Sequence, residues 1–296
     1  MKVGGQAIIE GVLMMGKSVA IAVRNNSGEI VVEEIGKKTP SNLKLFKVPF
    51  LRGLISLFYS LYYGIYALDR SAEISSGQKM KKSETFWSIF LAVVLAVGLF
   101  LVLPVFLTSL LTFLRGNEFL FSLIEGLIRL GLFLLYVYVI SLLKDVKRFF
   151  QYHGAEHMVI HAYESNEPLI NEKIKKYSTI HPRCGTSFVM IFLIFSIIFF
   201  SLVGWILHLN VFWKVLSRVI FIPVIVGFSY EFLRVSARNS KVMRFLAAPG
   251  LLLQKLTTAI PDDSQIEVAI AALKKAVGEE NKIDHAKEHE GPEFFG

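Results

Sequence analysis

Apolar positions along the chain fall into long unbroken runs. Phe86 to Leu114 contains no charge and exceeds the roughly 20 residues that cross a bilayer as a helix. Thr186 to Leu209 is also uncharged, with His208 only at its far end. Two further runs are long enough but carry ions. Phe119 to Leu143 holds Glu125 and Arg129, and Val211 to Phe232 holds Lys214, Arg218 and Glu231. The pattern predicts four transmembrane helices, so the expected fold class is an α-helical integral membrane protein.

Outside these runs the period changes. Ser18 to Ile35, SVAIAVRNNSGEIVVEEI, alternates apolar and polar residues on either side of an Asn-Ser-Gly turn, which reads as a β-hairpin. With GQAIIEGVLMMG before it, a small N-terminal cytoplasmic β-unit is expected. Val48 to Leu68 is apolar and tyrosine-rich but interrupted by Arg52, Gly53 and Gly64. It could lie in the interface, re-enter, or pack beneath the bundle; an interfacial helix is the expectation. Past Pro261, DDSQIEVAIAALKKAV has cap residues and helical periodicity. From Gly278 the chain reads as a charged, disordered tail. The expected division is a β-hairpin unit (1–47), an interfacial helix and basic linker (48–82), a four-helix membrane domain (83–260) and a cytoplasmic helix with tail (261–296). The membrane domain includes a His-rich loop at 144–186.

Composition supports the membrane reading. Of 296 residues, 53% are hydrophobic and 25 are Phe, and the mean hydropathy is +0.53. A net charge of +8 taken alone suits nucleic acid, but the cations cluster in loops flanking the apolar runs. Arg70, Lys79, Lys81 and Lys82 precede the first run. Lys144, Lys147, Arg148, Lys173, Lys175, Lys176 and Arg183 lie between the second and third, and Arg234, Arg238, Lys241 and Arg244 follow the fourth. The two short loops offer only Arg115 and Lys214. The positive-inside rule then puts both termini and the His-rich loop in the cytoplasm, with the bilayer as partner and no nucleic acid. One cysteine, Cys184, excludes an internal disulfide and suits a reducing compartment. The first forty residues show no long apolar core behind a basic start, so no cleavable leader is expected.

Candidate chemistry concentrates in YHGAEHMVIHAYE, Tyr152 to Glu164, which holds three of the seven histidines and two glutamates. On a helix, His153 and His157 project from one face a turn apart, a spacing for two ligands of one metal. Glu156 completes H-x-x-E-H, in which the glutamate binds no metal and acts as proton acceptor. His161 lies about 12 Å along the axis from His153 at 1.5 Å per residue, so a third ligand must come from elsewhere. His181 and Cys184 in HPRCGTS, in the same loop, are both suitable donors for zinc or another borderline metal. With all positions filled the site is structural, and with one left to water it is catalytic.

GGQAIIEGVLMMG, LRG, YHGAEHMVIHAYE, HPRCGTSF and SYEFLR, taken in order through nearly the whole chain, resemble the YqhQ family of bacterial membrane proteins, a domain of unknown function. The resemblance implies a cell-membrane (inner-membrane), multi-pass location and a metal-dependent enzyme. Lysine commonly follows HGAEH in that family, whereas this chain has Met158.

Charges in the runs add expectations. Glu125 and Arg129 are spaced for an intrahelical pair, and Glu125 and Arg218 sit at similar depths, which predicts that they approach with Arg129 nearby. Such a cluster is a bolt between helices or a polar path. Glu231 and Arg234 lie level with the histidine loop and can orient a ligand or form an interfacial pair. Glu10, Arg52 and Arg183 are further candidates for contacts behind the ligands or with substrate. The leading functional expectation is a metal-dependent, hydrolase-like membrane enzyme acting on a substrate in or near the bilayer. The alternative is a membrane-protein assembly or interaction factor, with a transporter or channel third.

Overall fold

The computed structural model describes residues 3–37, 48–79, 81–114, 116–207, 210–236 and 241–278. Arg115, His208, Arg238 and the charged tail beyond Gly278 lie outside the described residues.

Four antiparallel strands, β1 (Gly4–Ile8), β2 (Gly11–Met15), β3 (Ser18–Arg24) and β4 (Ile30–Lys37), form a meander in chain order. The β3–β4 turn is built by Asn25, whose side-chain Oδ1 accepts from the backbone N–H of Ser27 and Glu29, while Gly28 supplies a positive φ of 84°. β2 and β3 are apolar at almost every position because both sheet faces are covered. Val12, Met14, Ala20 and Ala22 face one layer, and Leu13, Met15, Ile21 and Val23 the other.

The second layer is α1 (Leu51–Ser76), through Tyr63, Ala67 and Ile74. The first is formed by α5 (Lys144–Glu164) and α11 (Asp263–Val277). α11 starts on a capping box in which Asp262 accepts from the Gln265 N–H and the Gln265 side chain accepts from the Asp262 N–H. Segments from the start, middle and end of the chain therefore share one core.

The remaining helices are α2 (Lys82–Val97), α3 (Leu103–Ser109), α4 (Glu118–Ser141), the short α6 (Asn171–Ile174), α7 (Gly185–Ile206), α8 (Val211–Ile220), α9 (Ile222–Ser236) and α10 (Lys241–Thr257). A π-helical turn at Gly98–Val102 joins α2 to α3. Among the described residues, three stretches are long and apolar enough to cross a membrane: Ser83–Ser109, Glu118–Ser141 and Gly185–Ile206. A fourth exists if α8 and α9, bent by 45° at Phe221, count as one span. The sequence pattern reads Val211 to Phe232 as one run; Pro223 supplies no N–H to continue the ladder and breaks it there. The first run ends as a helix at Ser109 rather than Leu114, passing into a 3₁₀ turn at Thr112–Leu114.

α7 packs against α4, α9 and α10. α10 has no counterpart in the sequence reading. It closes on α7 where Gly250 meets Ser187, with a Cβ at Gly250 reaching 2.8 Å from the Ser187 Cα. This contact brings the C-terminal end of α10 to the start of α7, beside α5.

Candidate metal centre

α5 buries every residue from Tyr152 to Ile160. One side faces the sheet and α11; the other faces residues 178–184 and the end of α10. His153 Nδ1 lies 2.7 Å from the Thr257 carbonyl oxygen and His157 Nδ1 2.5 Å from that of Thr179. A carbonyl only accepts, so each Nδ1 carries a proton, and in the neutral ring it is Nε2 that presents the lone pair. His153 Nε2 stands 3.2 Å from Cys184 Sγ. His157 Nε2 is buried with no hydrogen-bond partner among the described residues. The ligand atoms of His153, His157 and Cys184 all lie within 4.8 Å of one another. Backbone carbonyls that fix the far ring nitrogen are the usual support of metal-binding histidines.

Cys184 caps α7, its sulfur accepting from Thr186 N–H at 3.4 Å. Burial pushes the thiol up, but neighbouring His157 and the Thr186 contacts outweigh it, so its pKa falls below the ordinary value. Burial depresses His157 to about 4, which keeps the imidazole neutral, the form a metal needs. The donor set of two imidazoles and one thiolate suits zinc-class ions.

Glu156, beside them on α5, is completely buried, and neither carboxylate oxygen has a partner among the described residues. Burial raises its pKa to about 8, partly offset by His153 and reinforced by Cys184. β1 allows it room only because position 5 is glycine: a Cβ there would come within 2.9 Å of Glu156 Cγ and Oε1.

The other sequence candidates are placed as follows. His181 is buried at 4% exposure, but its ring nitrogens are engaged elsewhere. Nδ1 accepts from Arg183 N–H at 3.3 Å, and Nε2 is 3.7 Å from Glu164 Oε2. Glu164 also pairs with Arg183. Burial works against the Glu164 anion, yet the His181 bond and the Arg183 charge hold its pKa near 2. His161 stacks on Tyr177 at a centroid distance of 6.2 Å and meets His181 at 4.6 Å with the rings tilted by 58°.

Glu10, at φ 52° in the β1–β2 turn, pairs with Arg148 and accepts from Tyr152 Oη at 3.2 Å. Arg52 forks onto Glu231, which also accepts from the Phe50 N–H at 3.1 Å; Arg234 lies one turn further along α9. None of these supplies one of the three converging ligand atoms.

Inside the bundle, Arg218 Nη2 donates to Glu125 Oε2 at 2.6 Å, and Arg129 donates to Glu125 Oε1. Lys214 Nζ sits 2.6 Å from Glu118 Oε2 and 3.8 Å from the Phe121 ring centroid.

Sequence reasoning missed Gln254. It is fully buried and grips the loop before α7: Oε1 accepts from His181 N–H at 2.7 Å, and Nε2 donates to His181 O at 2.8 Å and Ser187 Oγ at 2.7 Å. The available signal was one amide among the leucines of LLLQKL, next to Pro249-Gly250.

Residues 48–279 match the model of a family described as protein of unknown function (DUF1385). The chain belongs to this family. It is also 35% identical over 305 residues to the uncharacterized protein YqhQ of Bacillus subtilis (strain 168), covering 94% of this chain and 95% of that one. No solved structure matches. The DUF1385 match includes the histidine helix, the Cys184 loop, Gln254 and α11, while β1–β4 precede it.

Proposed function

We propose that this DUF1385 protein is a multi-pass membrane protein holding a divalent, zinc-class metal on His153, His157 and Cys184, and that it is a hydrolase. One observation carries the reading. Two imidazoles are locked by backbone carbonyls, and their ligand atoms converge with one thiol to within 4.8 Å of one another. A bound ion supplies Lewis acidity. A cation bound beside it would favour the Glu156 carboxylate over the protonated form that burial favours, and that carboxylate accepts the proton of the attacking water and passes it to the leaving group. Gln254 and the carbonyls of Thr179 and Thr257 hold the loop and rings in register.

The membrane arrangement has four spans, with α8 and α9 as one broken span, and the cation-rich loops facing the cytoplasm. α1 then lies in the membrane plane. Arg52 is tied to Glu231 near the end of α9, and Asp69 accepts from Thr85 Oγ1 at 2.8 Å near the start of α2. The 17 residues between these anchors cover about 25 Å. The outer stripe of α1, Phe58, Leu61, Tyr62, Ile65 and Tyr66, is exposed, as suits a helix facing lipid. The metal centre then sits at the cytoplasmic surface, within reach of a substrate in or near the bilayer.

A second reading has its own support. His153, Glu156, His157 and Cys184 are each at most 9% exposed, as in closed structural sites. On that reading the metal pins α5 to α7 and the protein is an assembly or interaction factor.

Cobalt reconstitution separates the two. A thiolate-bearing cobalt spectrum that shifts on adding a small anion indicates an open position and supports hydrolysis. A spectrum indifferent to added ligand supports the pin. For the hydrolase, Glu156→Gln keeps the metal and loses turnover across an ester, amide and phosphoester panel.

A further inference from the structure

The charges between α4 and α8 do not balance. Lys214 meets Glu118, and Arg218 meets Glu125 twice, through Nη2 at 2.6 Å and Nε at 3.2 Å. Arg129, the third cation, has only a share of Glu125 through the remaining oxygen. It is 8% exposed, and its Nε is buried with no acceptor among the described residues. Among the described residues three cations thus face two carboxylates, and a guanidinium cannot shed its proton to restore neutrality.

Two backbone irregularities lie on or against the same helices. The π-helical turn at Gly98–Val102 contacts both α4 and α8. The break at Phe221 falls three residues beyond Arg218. π-turns recur at functional sites, and broken spans in membrane proteins often adjoin a bound ion or substrate.

We propose that Arg129, next to the Arg218–Glu125 pair, is a binding site for a phosphate oxyanion carrying one negative charge. A single charge restores neutrality to the cluster. The buried Nε–H of Arg129 offers a phosphate oxygen a charge-assisted hydrogen bond. A phospholipid phosphodiester carries that charge and is the source at hand in a membrane; free inorganic phosphate is the other source. The site is separate from the metal centre and rests on the membrane part of the reading above.

The test is a binding titration of the full chain, purified and delipidated in neutral detergent and followed by native mass spectrometry. The probes are phosphatidylglycerol, diacylglycerol as its phosphate-free counterpart, and inorganic phosphate. The wild type is expected to hold one phosphatidylglycerol in preference to diacylglycerol. Arg129→Gln should bind it at least about ten-fold more weakly, the loss expected for charge-assisted hydrogen bonds. Arg129→Lys keeps the charge and loses the Nε–H, so a smaller fall there supports the site even if the glutamine variant fails to fold. Displacement of the lipid by inorganic phosphate identifies a site open to the free ion; resistance to it identifies the lipid. Equal binding by wild type and both variants, or no preference over diacylglycerol together with no phosphate binding, overturns the proposal. Alkaline carbonate extraction reports on the membrane reading separately: release of the chain overturns that reading and the lipid source, while the phosphate arm still decides the oxyanion site.

Discussion

His153 and Cys184, thirty-one residues apart in the chain, bring a ring nitrogen and a sulfur to 3.2 Å. One belongs to the helix that covers the sheet, the other caps the third apolar helix. The contact therefore links the sheet unit to the apolar bundle, and several consequences can be measured.

The link depends on a close backbone crossing. A Cβ at Gly154 would fall 2.1 Å from the Ala259 carbonyl oxygen, in a segment whose Ala259 N–H donates to Phe150 O at 2.9 Å. Backbone on both sides leaves nothing flexible to yield. Gly154→Ala is expected to destabilise by about 1–3 kcal/mol, to move Thr257 away from His153 and to lower metal content. Thermal unfolding in detergent and metal analysis check both.

Glu164 fastens the loop that carries Cys184 by holding His181 and Arg183. Its pKa is depressed to about 2, so its contribution is complete above the unfolded value of about 4.3 and is lost as pH falls through about 2. Glu164→Gln should therefore melt below wild type at pH 7, with the gap narrowing across that window. A gap that stays constant to pH 2 contradicts the ion-pair assignment.

The charge cluster predicts an unequal series. Removing Glu125 leaves two guanidinium groups without their shared anion, a change of the kind that costs about 3–5 kcal/mol. Removing Arg129 deletes the excess cation and should cost least. Unfolding of Glu125→Gln, Arg218→Gln and Arg129→Gln in detergent should rank them in that order of damage. An Arg129 variant less stable than the Glu125 variant contradicts the ordering.

How much of this was legible beforehand varies with the physical signal. The hairpin was readable because period-two alternation and Asn-Ser-Gly act locally, and the apolar helices because length alone sets them. The i, i+4 spacing gave His153 and His157 one face. The third donor was open between His181 and Cys184. That choice depends on which way the loop's side chains turn, and Gln254, seventy-three residues from His181, holds the loop there. α11 was visible as a helix, but its place beside α5 on the sheet is a long-range fact without local signature. Glu10, expected to aim at the histidine face, answers Arg148 and Tyr152 instead, a pairing that only the folded register of β1 and α5 creates. The bend at Phe221 had a readable cause in Pro223, which the hydropathy of the run concealed.

Whether His153, His157 and Cys184 hold a metal is decided by inductively coupled plasma mass spectrometry of the purified chain, run beside His153→Ala, His157→Ala and Cys184→Ser. Close to one zinc-class ion per wild-type chain is expected, lost in all three variants and retained in His181→Ala. A wild-type chain that carries no metal even after zinc reconstitution, or variants that keep it at wild-type level, would contradict the account.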